Sequence, residues 1–149
     1  MALSAAPEAA RVEAATRTIR QIPKAPAPER IAEIRERGMA GRPDLPPLTV
    51  YASDQAHSSV VKAVLLAGFG HDNLRLLPSD PGTRALPAGT LAQAMADDVA
   101  AGRQPAAVIA SLGTTGVTAF DPVGALVEAA AALGVGGDGL LRRGELQLL

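Results

Sequence analysis

A chain of 149 residues can bury roughly two-thirds of the surface that its unfolded form exposes, so it has the length for one hydrophobic core. With 48% hydrophobic and 19% charged residues and a formal net charge of -1, it is neither a disordered acidic tail nor a basic nucleic-acid binder. The lack of cysteine excludes disulfide frameworks and Cys-based zinc or iron–sulfur sites and suits a reducing cytoplasm, and the two histidines, His57 and His71, are too few for a His-rich metal cage.

Residues 1–47 are rich in Ala, Arg and Pro, and Pro23, Pro26 and Pro28 forbid one continuous helix. The pattern predicts a helix over Ala5–Ile19 and a second that opens near Pro28, turns Ile31 and Ile34 to one side and stops at Gly38. Gly41–Pro47 then reads as an extended connection. From Leu48 the chain alternates short apolar runs with helical segments, as a parallel α/β sheet requires. Strands are predicted at Leu48–Ala52, Leu74–Pro78 and Ala106–Leu112, the last buried on both faces. Helices are predicted at Ser58–Ala67, with Val61, Val64 and Leu65 inward and Gly68 as the stop, at Ala88–Ala101, and from Asp121-Pro122 through Leu133. The chain divides into a helical segment 1–47, an α/β unit 48–133 and a Gly-rich tail 134–149.

The apolar runs fall well short of the ~20 residues that a bilayer crossing needs, so no membrane partner is expected. The only rings are Tyr51, Phe69 and Phe120, too few for a base-stacking platform, so nucleic acid is not expected either. In an open α/β sheet, ligands bind beyond the carboxyl ends of the strands. Two polar loops fall there: Ser53-Asp54-Gln55-Ala56-His57-Ser58-Ser59 and Gly113-Thr114-Thr115-Gly116.

Asp54, His57 and Ser58 are too close in sequence to converge as a hydrolase triad, and Asp54 or the serines can instead cap the coming helix. Gly134-Val135-Gly136-Gly137-Asp138-Gly139 has the spacing of a dinucleotide fingerprint but lacks the preceding strand. Gly113-Thr114-Thr115-Gly116 lacks the lysine of a P-loop. Asp97 and Asp98, adjacent on a helix, read as a solvated face, and His71 as a surface residue in a turn.

The run Tyr51-Ala52-Ser53-Asp54-Gln55-Ala56-His57-Ser58-Ser59-Val60-Val61-Lys62-Ala63, then Leu77-Pro78-Ser79-Asp80, Ala100-Ala101-Gly102, Gly113-Thr114-Thr115 and Ala119-Phe120-Asp121-Pro122, closely resembles the pyridoxal-phosphate-dependent group II decarboxylases. The nearest branch is the aromatic-L-amino-acid decarboxylases. The resemblance covers about 48–133, with weaker similarity at Ala9-Ala10-Arg11. It implies an α/β fold, an incomplete slice of the aspartate-aminotransferase-like large domain of these transferases, with mostly parallel strands and covering helices. It implies pyridoxal 5'-phosphate as cofactor, an aromatic L-amino acid as substrate, carboxy-lyase chemistry and a homo- or heterodimeric partner.

The resemblance also assigns roles. His57 would stack on the cofactor ring beside the substrate, as both a catalytic and a cofactor-binding residue. Thr115 would hydrogen-bond cofactor substituents, and Thr114 would help to shape the same loop. Asp54, Gln55, Ser58 and Ser59 would serve loop and cap structure. The family also needs an imine lysine, an aspartate for the pyridine nitrogen and a Ser-rich phosphate turn. Neither lysine, Lys24 or Lys62, falls at the imine position, and Asp138 does not match the aspartate. The expectation is therefore a decarboxylase fragment, truncated at the front and frameshifted near Gly134, inactive alone and marginally stable because strand edges and an apolar face lie uncovered. The alternatives are a non-catalytic remnant that binds a full-length homologue or another subunit, and a related lyase such as a glutamate or tyrosine decarboxylase or a sphingosine-phosphate-lyase-like enzyme.

Overall fold

A computed structural model of the chain describes residue 34 and residues 36–132. The expected helix at Ala5–Ile19, Lys24, the end of the last helix at Leu133, Asp138 and the Gly-rich tail lie outside the described residues. Ile34, Glu36 and Arg37 are helical, and Gly38, at φ +72°, takes the left-handed conformation that ends the turn, its N–H reaching Ile34 O at 2.9 Å. Gly41–Pro47 is not extended: Leu45 N–H reaches back to Arg42 O, and Arg42 pairs with Asp44 at 2.8 Å, so a local ion pair folds the segment into a turn.

The elements that follow are β1 (Leu48–Ser53), α1 (Ser58–Leu66), a 3-10 turn (His71–Asn73), β2 (Leu74–Leu77), α2 (Ala88–Ala100), β3 (Gln104–Ile109) and α3 (Val123–Ala132). The three strands form one all-parallel sheet in the order β2-β1-β3. The register pairs Tyr51 with Arg75 on one side and with Val108 on the other. The step from β1 to β2 runs in one direction across the sheet and the step from β2 to β3 runs back. Crossovers of one hand therefore put α1 on one face and α2 on the other.

The alternation of β1 feeds both faces. Tyr51 enters the larger core, with Leu86, Leu91, Met95 and Ala96 around α2 and Leu126, Ala129 and Ala130 from α3. Val50 enters a smaller cluster with Val64 of α1 and Leu74 of β2. Val61 is half-buried against that cluster, but Leu65 is 46% exposed, so the inward face expected for α1 is narrower than its composition suggests.

The central strand is β1, and β3 is an edge. This corrects the expectation that the third strand is buried on both faces: from Ala106 to Ala110 it is only half-buried. It also begins two residues earlier, at Gln104, and contains Pro105. Proline donates no ladder hydrogen bond and is accommodated on an edge strand or at a bulge, and a register shift between Thr49 and Val50 falls at this point. After Ile109 the chain leaves the sheet, because Ser111 bonds to Asp121 and Leu112 bridges to Phe120 instead.

Candidate functional site

Parallel strands emerge at one edge of the sheet, and each is followed there by a loop and the start of a helix or turn. Strand β1 has neighbours on both sides and sits where the direction of connection reverses, the place at which an open α/β sheet opens a crevice. The register Ala52↔Ile109 aligns the carboxyl ends of β1 and β3. The loops 53–57 and 110–122 therefore leave from adjacent strands at the same edge. His57 belongs to the first, and Thr114 and Thr115 to the second. No hydrogen bond joins the two loops among the described residues. His71 precedes β2 and lies at the opposite, amino edge, exposed, so the two histidines are separated by the length of the strands.

The first loop is built on local bonds. Asp54 N–H donates to Leu77 O at 2.8 Å, and its carboxylate accepts from Ser79 N–H at 3.2 Å and from Gln55 Nε2 at 3.1 Å, joining the exits of β1 and β2. Burial would raise the Asp54 carboxyl, but these bonds together outweigh it and hold the group below its ordinary range. The cap of α1 is neither Asp54 nor a serine. His57 is the N-cap, extended at φ -61° and ψ 147°, and its Nδ1 accepts from Ser59 N–H at 3.2 Å with the Ser59 hydroxyl 3.0 Å away. An imidazole nitrogen can replace the usual Ser, Thr, Asn or Asp oxygen because the first-turn N–H groups need only a lone pair. The ring is exposed at the carboxyl edge.

The second loop turns on Thr114. Its hydroxyl, in a residue only 8% exposed, accepts from Ala119 N–H at 3.0 Å, and the backbone closes the same turn through Thr114 N–H to Ala119 O at 3.1 Å and Thr118 N–H to Thr114 O at 2.8 Å. Thr115 is exposed beside it. Thr118 carries a φ of +51°, an unfavourable angle for a β-branched residue. The loop is anchored by Asp121, which sequence reasoning read only as a helix opener. Buried at 4% exposure, it accepts from Leu86 N–H through Oδ1 and from Ser111 N–H through Oδ2, both at 2.7 Å. One carboxylate thus ties the exit of β3 to the segment that enters α2.

Asp98 corrects a second expectation. It is buried, not solvated: Tyr51 Oη donates to Oδ2 at 2.8 Å, and Arg75 grips both oxygens through Nε at 3.1 Å and Nη2 at 2.8 Å. Arg103 stands 3.8 Å away and bonds Asn73 at 2.8 Å. Burial alone would raise the Asp98 carboxyl, but the bonds from Arg75 and Tyr51 outweigh it and hold it below the carboxylate range. Burial, reinforced by Asp98, pushes the Tyr51 phenol far above its usual value. The signal was available in the sequence: Leu91, Met95 and Asp98 recur at i, i+4 and i+7 and share the buried face of α2. Asp97 does face solvent, accepting from Gln93 Nε2 at 2.9 Å.

The family model described as the pyridoxal-dependent decarboxylase conserved domain matches residues 28–135, well over half of the chain. The chain belongs to the pyridoxal-dependent decarboxylases. Over 103 residues it is 44% identical to tryptophan decarboxylase 1 of Oryza sativa subsp. japonica, covering 68% of this chain and 20% of that protein. Over 84 residues it is 43% identical to tyrosine decarboxylase 2 of Arabidopsis thaliana, covering 56% and 15%. Its fold matches the crystal structure of Oryza sativa TDC with PLP at a TM-score of 0.61 and 35% identity, covering 85% of this chain and 24% of that one. The chain thus spans about a fifth of the length of the curated relatives it matches. The family is pyridoxal-dependent, and the α/β piece expected from the sequence is the piece observed.

The described residues supply one part of a site for that cofactor, a ring and a hydroxyl, and not the lysine or the unengaged carboxylate that its chemistry also needs. The crevice edge offers an exposed imidazole and an exposed hydroxyl at His57 and Thr115. Lys62, however, is exposed within α1, past its first turn. The carboxylates in the loops at this edge are engaged, Asp54 with Ser79 and Gln55, Asp80 with Gly82 and Thr83, and Asp121 with Leu86 and Ser111.

Proposed function

We propose that this chain carries one side of the cofactor pocket of an aromatic-L-amino-acid decarboxylase. In this reading His57 packs its ring against the pyridine ring and faces the substrate, Thr115 hydrogen-bonds a cofactor substituent, and Thr114 fixes the loop that presents Thr115. The supporting observation is that the two loops leave adjacent parallel strands at one edge, with the His57 ring and Thr115 both exposed there. The names of the matching relatives, a tryptophan and a tyrosine decarboxylase, favour an aromatic amino acid as substrate.

The tether and the partner for the pyridine nitrogen must then come from groups other than Lys62, Asp54 and Asp121, so these 149 residues alone should have no carboxy-lyase activity. Incubation of the purified chain with pyridoxal 5'-phosphate and L-tryptophan or L-tyrosine tests this. We expect no amine product and no borohydride-reducible adduct confined to one lysine. Amine release with such an adduct would overturn the inactivity. In a second reading the chain is a non-catalytic remnant that associates with a full-length homologue in a cytoplasmic setting. It is favoured by the open edges β2 and β3 and by apolar side chains in solvent, with Leu66 89% and Phe120 62% exposed. Co-purification with a homologue supports it, and a lone monomer at all concentrations counts against it.

A further inference from the structure

The hydrogen bond that caps α1 also decides which nitrogen of His57 faces the crevice. Ser59 N–H lies in the first helical turn, where backbone N–H groups have no partner within the helix, and its protein acceptor is His57 Nδ1. It points at Nδ1 from 3.2 Å and therefore requires a lone pair there. A neutral imidazole carries one N–H, so the proton is left on Nε2. The Ser59 hydroxyl, 3.0 Å from Nδ1, can either donate or accept and does not oppose this choice. Nε2 has no hydrogen-bond partner among the described residues, and the ring is exposed.

We infer that Ser59 is a positioning residue that fixes the tautomer of His57, so that the imidazole presents an N–H donor at Nε2 to an acceptor oxygen of an anionic ligand. The inference rests on the pocket reading above for the ligand, a carboxylate-bearing amino acid or the cofactor, but the tautomer itself needs neither. While the cap holds, proton exchange with a ligand takes place at Nε2 alone.

Nitrogen NMR of the full chain at about pH 8, above the ordinary imidazole range, reads the tautomer directly. We expect His57 protonated at Nε2 and a scalar coupling across the hydrogen bond from Ser59 N to His57 Nδ1. Ser59→Ala keeps the backbone donor and should keep the tautomer. Ser59→Pro removes the donor at a first-turn position where proline is tolerated, and it should raise the Nδ1–H share about fivefold, as expected for losing one neutral hydrogen bond. A wild-type ring protonated mainly at Nδ1, or no coupling to Ser59, overturns the inference, and the coupling settles it even if the proline variant fails to fold. Added pyridoxal 5'-phosphate is the separate arm. A His57 that shows the coupling but does not respond to the cofactor contradicts the pocket reading and leaves the tautomer assignment standing.

Discussion

Tyr51, at the centre of β1, donates its phenolic hydrogen to Asp98 on α2 at 2.8 Å, and Arg75 of the neighbouring strand holds the same carboxylate through two bonds. One buried charge thus connects the central strand, an edge strand and the helix that covers them. Replacing Asp98 with Ala leaves Tyr51 without its carboxylate acceptor and Arg75 with only the Asp72 carbonyl, 3.3 Å from Nη1. We expect a loss of about 2–3 kcal/mol, less than for a fully buried pair because Arg75 and Arg103 keep part of their side chains in water. Urea unfolding followed by circular dichroism measures it, and a loss below about 0.5 kcal/mol would show the network to be incidental.

The same network makes stability depend on pH at both ends. The Asp98 carboxyl lies below its ordinary value in the fold, so its contribution is present above about pH 4 and is lost as pH falls through the lower folded-state value. The Tyr51 phenol lies above its ordinary value, chiefly through burial and then through Asp98, so its contribution is present below about pH 10 and declines above it as the unfolded phenol ionises. Tyr51→Phe should flatten the alkaline decline and leave the acid limb in place. An alkaline limb of the same steepness in the variant would assign it to another group.

Asp121 clamps two loops by accepting from Leu86 N–H and Ser111 N–H at 2.7 Å. Asp121→Ala strips the buried Leu86 N–H and the part-buried Ser111 N–H of their acceptor, at a cost of about 2–4 kcal/mol. Hydrogen exchange at Ser111 and Leu86 should accelerate more than at the centre of β1. Uniform acceleration across the chain would mean that the clamp acts on global stability and not on the loop.

His57 has a structural duty as the cap of α1 and a proposed functional one, and substitution separates them. His57→Ala removes the cap and should cost about 1 kcal/mol. His57→Asn supplies another capping acceptor and should restore most of that stability without restoring a ring for the cofactor. Equal stability of the two variants would contradict the capping role.

The fold was largely legible because apolar runs of strand length alternated with helical periods, and because Gly38 and Gly68 carry positive φ at the helix stops that their positions suggested. Proline in Gln104-Pro105 read as loop, since only the edge position of β3 makes it tolerable in a strand. Asp98 read as solvent-facing although its spacing from Leu91 and Met95 puts it on the buried face of α2, and only its partners Tyr51 and Arg75, 47 and 23 residues away, were beyond the reach of local pattern. His57 was visible through its resemblance, but its capping bond needed the backbone angles of the loop.

The central claim is that His57 and Thr115 face one ligand at one edge. Titrating the full chain with pyridoxal 5'-phosphate while following backbone and side-chain NMR shifts tests it most directly. We expect the signals of His57, Thr114 and Thr115 to move together along one binding curve, with His71 at the opposite edge unmoved. Movement of only one of the two loops, or shifts centred on Lys62 with His57 and Thr115 silent, would contradict the shared pocket.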